Sequence, residues 1–274
     1  MPQGFCGVII IAAMQIGKNS RHIKLIKQLK EKKYRDRHGL FIIEGPHLAD
    51  EAIKSGSGFE FAVFSEKAPK EIISAIEEKD IPSFFIDART MRTLSDTEND
   101  QGVLGVIPKF SYSRRDMKKD GGQTIVVCDG IQDPGNLGTI IRTAAAAGCG
   151  AVITSFDSAD IYNPKTVRST GGALFHIPVI AGENMGDILK YISSLGFRIF
   201  CAEPESGKGL FSVDLRKSFA IVIGSEGKGV RPEVRCLCDG AITIPVSSNI
   251  ESLNAAAAAA VIMFEAVRQR ALKS

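Results

Sequence analysis

Long hydrophobic runs are missing from this 274-residue sequence. Its apolar opening segment, residues 5–16, falls short of the roughly 20 residues a helix needs to cross a bilayer. A secretory leader would need a basic start and a small-residue cleavage site, and residues 1–5 carry no Lys or Arg. Paired cysteines are scarce too. Six are scattered (Cys6, Cys128, Cys149, Cys201, Cys236, Cys238), four of them in apolar, strand-like surroundings. Only Cys236-x-Cys238 is close-spaced, without the two-residue gap of zinc and redox motifs and with no second pair or His nearby. The expectation is a cytoplasmic protein with reduced, buried thiols and no metal site. Neither G-x-x-x-x-G-K-[ST] nor G-x-G-x-x-G occurs, which argues against nucleotide-dependent kinases and dehydrogenases. There are no internal repeats and no long low-complexity tracts.

What is present is the composition of an ordinary soluble globular chain, 44% hydrophobic and 24% charged, long enough for two domains. A net charge of +3 says little as a total, but its distribution is uneven. Residues 18–37 hold nine Lys/Arg against Glu31 and Asp36, a local excess of seven that suits a polyanion such as nucleic acid. A solvated basic helix is the plainer alternative. From Asn19 the pattern predicts a helix with Ile23, Ile26 and Leu29 on one side. Strands at 40–43, 61–64, 84–86 and 102–107 then alternate with helices at 47–55 and 69–79 and a helical turn at 91–94. That is a small α/β domain over residues 18–108. Residues 109–122, with Pro, Ser, Gly and charge but no hydrophobic period, read as a linker. Residues 1–17 are expected to form an extension outside the fold, with Met14 as a candidate start. Over residues 123–274, strands at 125–128, 151–154, 177–180, 198–202, 220–223 and 241–244 alternate with helices at 136–147, 163–169, 185–195, 231–236 and 253–272. Serial βαβ units imply a mostly parallel sheet covered on both faces.

Three stretches of this second domain carry polar residues directly after buried strands. Residues 129–148 read DGIQDPGNLGTIIRTAAAAG. An Asp133-Pro134-Gly135 turn precedes Asn136, which is expected to cap the helix that follows. Asn136, Thr139 and Arg142 fall one turn apart and share a face, with Ile140, Ile141 and small alanines behind. This suits a site at the carboxyl end of a parallel sheet, and equally a plain βαβ unit with a surface arginine. Residues 219–231, FAIVIGSEGKGVR, lead a strand into glycines that let backbone approach a ligand, or simply make a flexible turn. Residues 242–265, ITIPVSSNIESLNAAAAAAVIMFE, lead a strand through a polar loop into an alanine helix that Ser252 could cap. The alanines imply close packing of another backbone, within the chain or across a dimer. Convergence of the three loops on one sheet edge is the argument for a site.

Taken together the three stretches resemble the SpoU/TrmH-type RNA 2′-O-ribose methyltransferases of the SPOUT superfamily. The N-x-G-x-x-x-R element is Asn136 to Arg142, the G-S-E-G element is Gly224 to Glu226 and Gly227, and the third runs from Ile244-Pro245 to Glu251-Ser252-Leu253-Asn254. Lys33-Tyr34-Arg35, Gly39-Leu40-Phe41 and Glu44-Gly45 likewise resemble the substrate-binding domain often attached to these enzymes, itself similar to small RNA-binding ribosomal proteins. The resemblance implies an α/β fold with a deep trefoil knot in the second domain, S-adenosylmethionine as cofactor, RNA (ribosomal rather than transfer RNA) as partner, and a homodimer. It also implies cofactor binding by Gly224, Ile244 and Leu253, and a catalytic set of Arg142, Asn136, Glu226, Ser252 and Asn254. One departure is Ser248, followed by Asn249, where many members have Gly.

The implied reaction is methyl transfer to a ribose 2′-OH by in-line displacement. Because a guanidinium stays protonated in protein settings, Arg142 is expected to act as an electrostatic clamp rather than a base. The basic N-terminal helix and Arg114, Arg115, Lys118 and Lys119 are candidate phosphate contacts. The rival reading is an RNA-binding or assembly factor of the same fold without methyl transfer.

Overall fold

A computed structural model describes residues 14–117, 122–247 and 252–272. The expected extension over residues 1–13, Lys118 and Lys119, and Ser248, Asn249 and Glu251 of the third motif lie outside the described residues. The chain divides into two compact units, Met1–Pro108 and Lys109–Ser274.

The first unit runs β1 (Met14–Gln15), α1 (Arg21–Leu29), α2 (Lys32–His38), β2 (Leu40–Glu44), α3 (Pro46–Lys54), β3 (Phe61–Phe64), α4 (Lys70–Glu77), β4 (Ser83–Phe85), α5 (Ala88–Leu94) and β5 (Val103–Pro108). Its sheet has the order β1-β4-β3-β5-β2, with β5 antiparallel to both neighbours and the other pairs parallel. Met14 and Gln15, expected outside the fold, instead pair with Phe84 and Phe85. Two apolar-flanked backbone groups at an open sheet edge outweigh the absence of any helical or strand period there. Helix α1 buries Ile23, Ile26 and Leu29 and is capped by Ser20, whose Oγ accepts from the Ile23 amide at 3.3 Å.

The basic segment divides by role. Arg35 is buried, and its Nη1 donates to the Leu29 and Lys30 carbonyls at 2.8 and 2.7 Å, closing the C-terminus of α1. Lys30, Lys32 and Lys33 pair with Asp96, Asp36 and Glu31. Lys18, Arg21, Lys24, Lys27 and Arg37 are exposed and meet no carboxylate among the described residues.

The second unit contains β6 (Thr124–Asp129), α6 (Pro134–Ala146), β7 (Ala151–Ser155), α7 (Pro164–Ser169), β8 (Val179–Glu183), α8 (Met185–Ser194), β9 (Arg198–Ala202), the short β10 (Lys208–Gly209), β11 (Phe219–Gly224), α9 (Pro232–Arg235), β12 (Gly240–Thr243) and α10 (Ala255–Ala271). All seven strands are parallel, in the order β10-β12-β9-β11-β6-β7-β8. The central strands β6, β7 and β11 are buried along almost their whole length, as their unbroken apolar runs require when both faces are covered. One face packs Ile188, Leu189 and Ile192 of α8 against Ile125, Val127, Ile153 and Val222. Helices α6 and α10 pack against each other through small residues; Ala144 of α6 and Ala255, Ala256, Ala259, Ile262 and Met263 of α10 are buried.

The segment read as a linker is partly built into this unit. Ser113 and Asp116 form a reciprocal cap around a 3₁₀ turn at Arg114–Asp116, and Met117 is buried. Phe110 meets Phe175 edge-to-face at 5.8 Å and donates its amide to Tyr162 Oη at 2.8 Å. Arg114 grips Glu183, with Nη2 2.6 Å from Oε2. Phe110, Tyr112, Tyr162 and Phe175, with a bidentate ion pair, supply packing that a polar composition hides.

Candidate active site

Because β6, β9, β11 and β12 are parallel, their carboxyl ends lie along one sheet edge. Asp129 is in register with Gly224, Val222 with Cys201, and Ala202 with Ile242. The loops leaving that edge hold most of the residues singled out from the sequence.

Helix α6 begins two residues earlier than the pattern implied. Asp133 is its N-cap: Oδ1 accepts from the Asn136 amide at 2.8 Å and Oδ2 pairs with Lys165 Nζ at 2.9 Å. Pro134 takes the first helical position, where its missing N–H is harmless. The Asp-Pro-Gly stretch is therefore the first turn of the helix, and Asn136 is not its cap. Gly138 is buried where a Cβ would stand 2.5 Å from Ser169 Cβ and 2.6 Å from the Thr166 carbonyl oxygen. Glycine is needed there so that α7 can lie against α6.

Freed from capping, the Asn136 side chain joins the other two loops. At the far end, Asn254 caps α10, its Oδ1 accepting from Ala256 and Ala257 amides at 2.9 and 3.3 Å. That is the role the sequence left open to Ser252. An oxygen facing helix amides leaves Asn254 Nδ2 to point outward, and it donates to Asn136 Oδ1 at 3.0 Å. Asn136 must then offer Nδ2 in turn, and it donates to Glu226 Oε1. The orientation of each amide is fixed by its neighbours: helix N-terminus, Asn254, Asn136, carboxylate. One residue from each motif thus enters a single hydrogen-bond chain.

The Gly224 loop folds back on itself. Ser225 and Gly229 exchange backbone hydrogen bonds at 3.2 and 2.9 Å, leaving Glu226, Gly227 and Lys228 at the tip. A Cβ on Gly224 would stand 2.0 Å from the Gly229 carbonyl carbon, so no side chain fits. The loop's far end is anchored by a contact that sequence reasoning missed. Asp129, fully buried, accepts from the Arg231 amide at 3.0 Å, from Nε at 2.8 Å and from Nη2. The carboxylate pushes the Arg231 guanidinium above its ordinary value. A charged residue closing an otherwise apolar strand was the available signal.

Between these loops lies a cleft of about 680 Å³. Gly224, Glu226, Ile244, Ser252 and Leu253 all line it, together with Ile223, Ile242, Val246 and Ala255. Glu203 and Arg235, also unforeseen, pair on its wall, with Arg235 Nε 2.8 Å from Glu203 Oε1. Asn136 and Asn254 reach the cleft only through Glu226. Arg142 lies apart from it, exposed, with its guanidinium against the backbone of Gly171, whose φ is +55°. It makes no hydrogen bond to the other named residues.

Among the described residues no group of His, Cys, Asp and Glu could hold a metal ion. Burial pushes the Cys128 and Cys149 thiols up to about 12, while Cys236 is exposed, against the expectation that all would be buried.

The SpoU rRNA Methylase family profile matches residues 123–264, and the MRM3-like substrate binding domain profile matches residues 20–105. The chain is 32% identical over 253 residues to the 23S rRNA (guanosine(2553)-2′-O)-methyltransferase RlmP of Bacillus subtilis, covering 92% of this chain and 97% of that protein. In solved structures, an AdoMet-bound rRNA methyltransferase from Sinorhizobium meliloti superposes with a TM-score of 0.84 at 28% identity, covering 93% of this chain and 97% of that one. The SpoU methyltransferase AviRb from Streptomyces viridochromogenes, in complex with AdoMet, gives 0.83 at 26% identity, with 92% and 98% covered.

Proposed function

This chain belongs to the SpoU rRNA methylase family, and on that premise we propose that it methylates a ribose 2′-hydroxyl of RNA, with S-adenosylmethionine as donor and ribosomal RNA as substrate class. The observation that carries the reading is the joining of Asn136, Glu226 and Asn254 in one hydrogen-bond chain at the rim of the cleft. The cleft fits the cofactor in size and character. Its volume lies within the roughly 300–1,000 Å³ of small-molecule sites, and its walls combine isoleucine, valine, leucine and alanine with the polar groups of Glu203, Glu226, Arg235 and Ser252. When bound, the cofactor supplies a methyl group on a sulfonium, transferred to the attacking oxygen as the sulfur leaves as a thioether.

The protein's part is positioning and electrostatics. Gly224, Ile244 and Leu253 hold the cofactor through backbone and apolar contact. Asn136, Glu226 and Asn254 fix the rim on which the ribose is oriented, and Ser252 offers a hydroxyl beside it. Arg142, a permanent cation exposed outside the cleft, holds the phosphate next to the reacting ribose and steadies the developing alkoxide from there once RNA is bound. The 2′-oxygen's proton passes to solvent or to the Glu226 carboxylate at the rim.

The unpaired cations of the first unit, Lys18, Arg21, Lys24, Lys27 and Arg37, hold RNA phosphates. The reading includes a cytoplasmic location and a homodimer. Val261 and Phe264 on α10, 38% and 48% exposed, offer the dimer an apolar face. No helix among the described residues is long and apolar enough to cross a membrane. Mapping ribose methylation in total RNA with and without the gene should reveal at least one site that depends on it. Identical maps, with S-adenosylhomocysteine failing to bind in calorimetry, would overturn the enzyme reading.

A further inference from the structure

Glu203 leaves the end of β9 into the wall of the cleft, and its side chain is only 12% exposed. Its backbone amide donates to the Ile242 carbonyl at 3.0 Å, which ties the residue to the neighbouring strand end. One carboxylate oxygen, Oε1, forms an ion pair with Arg235, 2.8 Å from its Nε. The other, Oε2, is buried and finds no hydrogen-bond partner among the described residues. A buried acceptor of that kind carries a desolvation cost that only a donor relieves. Glu203 lines the cleft, so a ligand seated there is placed to bring that donor.

The charge balance selects the donor. Arg235 already neutralises Glu203, so a second cation at Oε2 would leave one carboxylate between two positive groups. A neutral O–H completes the site without excess charge. The apolar side of the cleft, Ile223, Ile242, Ile244 and Leu253, suits a flat heterocycle and leaves Glu203 to the polar ring attached to it. Resting on the cofactor reading above, we propose that Glu203, held in place by Arg235, accepts a hydrogen bond from a ribose hydroxyl of the adenosyl group. Glu203 is thus a binding residue that discriminates ribosides from deoxyribosides in the cofactor site, a role separate from transfer itself.

The test is a ligand–protein cycle read by calorimetry on the full chain. The probes are S-adenosylhomocysteine, 5′-methylthioadenosine, which keeps the ribose but lacks the amino-acid end, and 2′,3′-dideoxy-5′-methylthioadenosine. The unsubstituted protein should bind methylthioadenosine about ten- to a hundredfold more tightly than its dideoxy analogue, the scale of a hydrogen bond to a charged group. In Glu203→Ala that ratio should fall to about threefold or less, while the ratio between S-adenosylhomocysteine and methylthioadenosine stays as it was. Arg235→Ala keeps the carboxylate but removes the charge that holds it, so the hydroxyl discrimination should weaken without being lost, and melting curves of both variants verify folding. Discrimination persisting in Glu203→Ala overturns the assignment. So does a collapse of the other ratio, which would place the methionine ammonium on Glu203. Failure of the unsubstituted protein to bind either adenosyl probe would instead remove the cofactor reading itself.

Discussion

Asp129→Asn isolates the contact that anchors the Gly224 loop. The native carboxylate is fully buried and takes the amide, Nε and Nη2 of Arg231. A carboxamide keeps one acceptor and turns an NH₂ toward donors it cannot satisfy. Breaking a fully buried pair costs about 3–5 kcal/mol. Arg231 is 38% exposed and has Asp157 and Glu233 at 3.7 and 3.9 Å, so its charge is not stranded. That relief brings the expected loss to about 2–3 kcal/mol. For a unit of this size each kcal/mol moves the midpoint by about 2–4 °C, so calorimetry should show the second unit melting about 4–12 °C lower. Arg231→Gln placed on top of Asp129→Asn should cost less than it does alone, because the partner is already gone. S-adenosylhomocysteine affinity should drop as well, since Asp129 sets where the loop returns. A midpoint shift below about 1 °C with unchanged affinity would refute the idea that this pair holds the loop.

Arg142→Lys keeps the charge but loses the planar fork, so turnover should fall at least tenfold while cofactor affinity is unchanged; near-normal turnover would remove its clamping role. Replacing Arg21, Lys24 and Lys27 together should weaken RNA binding and reduce the slope of log affinity against log salt by about two, with calorimetric cofactor binding untouched. Acid should destabilise the second unit. Hydrogen bonds from Lys165 to Asp133, from Ser155 to Asp157 and from Arg268 to Glu265 hold these carboxyls below their ordinary values of 3.8, 3.8 and 4.5. A depressed folded value gives stability that is complete above the unfolded value and lost as pH falls through the folded one. Urea midpoints should therefore be level above about pH 5 and decline below about pH 4.

The alternation of strands and helices was legible because the strands of the second sheet are buried on both faces and read as apolar runs. Boundaries failed where one residue could do two jobs. Asn136 and Ser252 are both good caps, but Asp133 precedes a proline and Asn254 a run of alanines, and these took the ends of α6 and α10. The segment 109–117 looked like a linker because its aromatics, Phe110 and Tyr112, are too sparse to show a period, yet each finds a ring. Likewise Lys18 to Arg37 read as one basic patch, although burial of Arg35 and local ion pairs reserve part of it for structure. Charge in a sequence does not reveal which cations already have partners.

The pairs missed altogether, Asp129 with Arg231 and Glu203 with Arg235, are separated by 102 and 32 positions and tie the ends of β6 and β9 to the two ends of α9. No local pattern encodes them; only the sheet order does. The same order explains why the three motifs had to be read together. Asn136 alone could cap, pack or bind. With Asn254 oriented by the amides of α10, its Nδ2 claims the Asn136 oxygen, and only the Asn136 NH₂ remains to meet Glu226. A substitution at any of the three therefore acts on the other two: Asn136→Asp would set a second carboxylate against Glu226 and remove the donor that holds it. Its effect should exceed that of Asn136→Ala, although aspartate is the closer isostere.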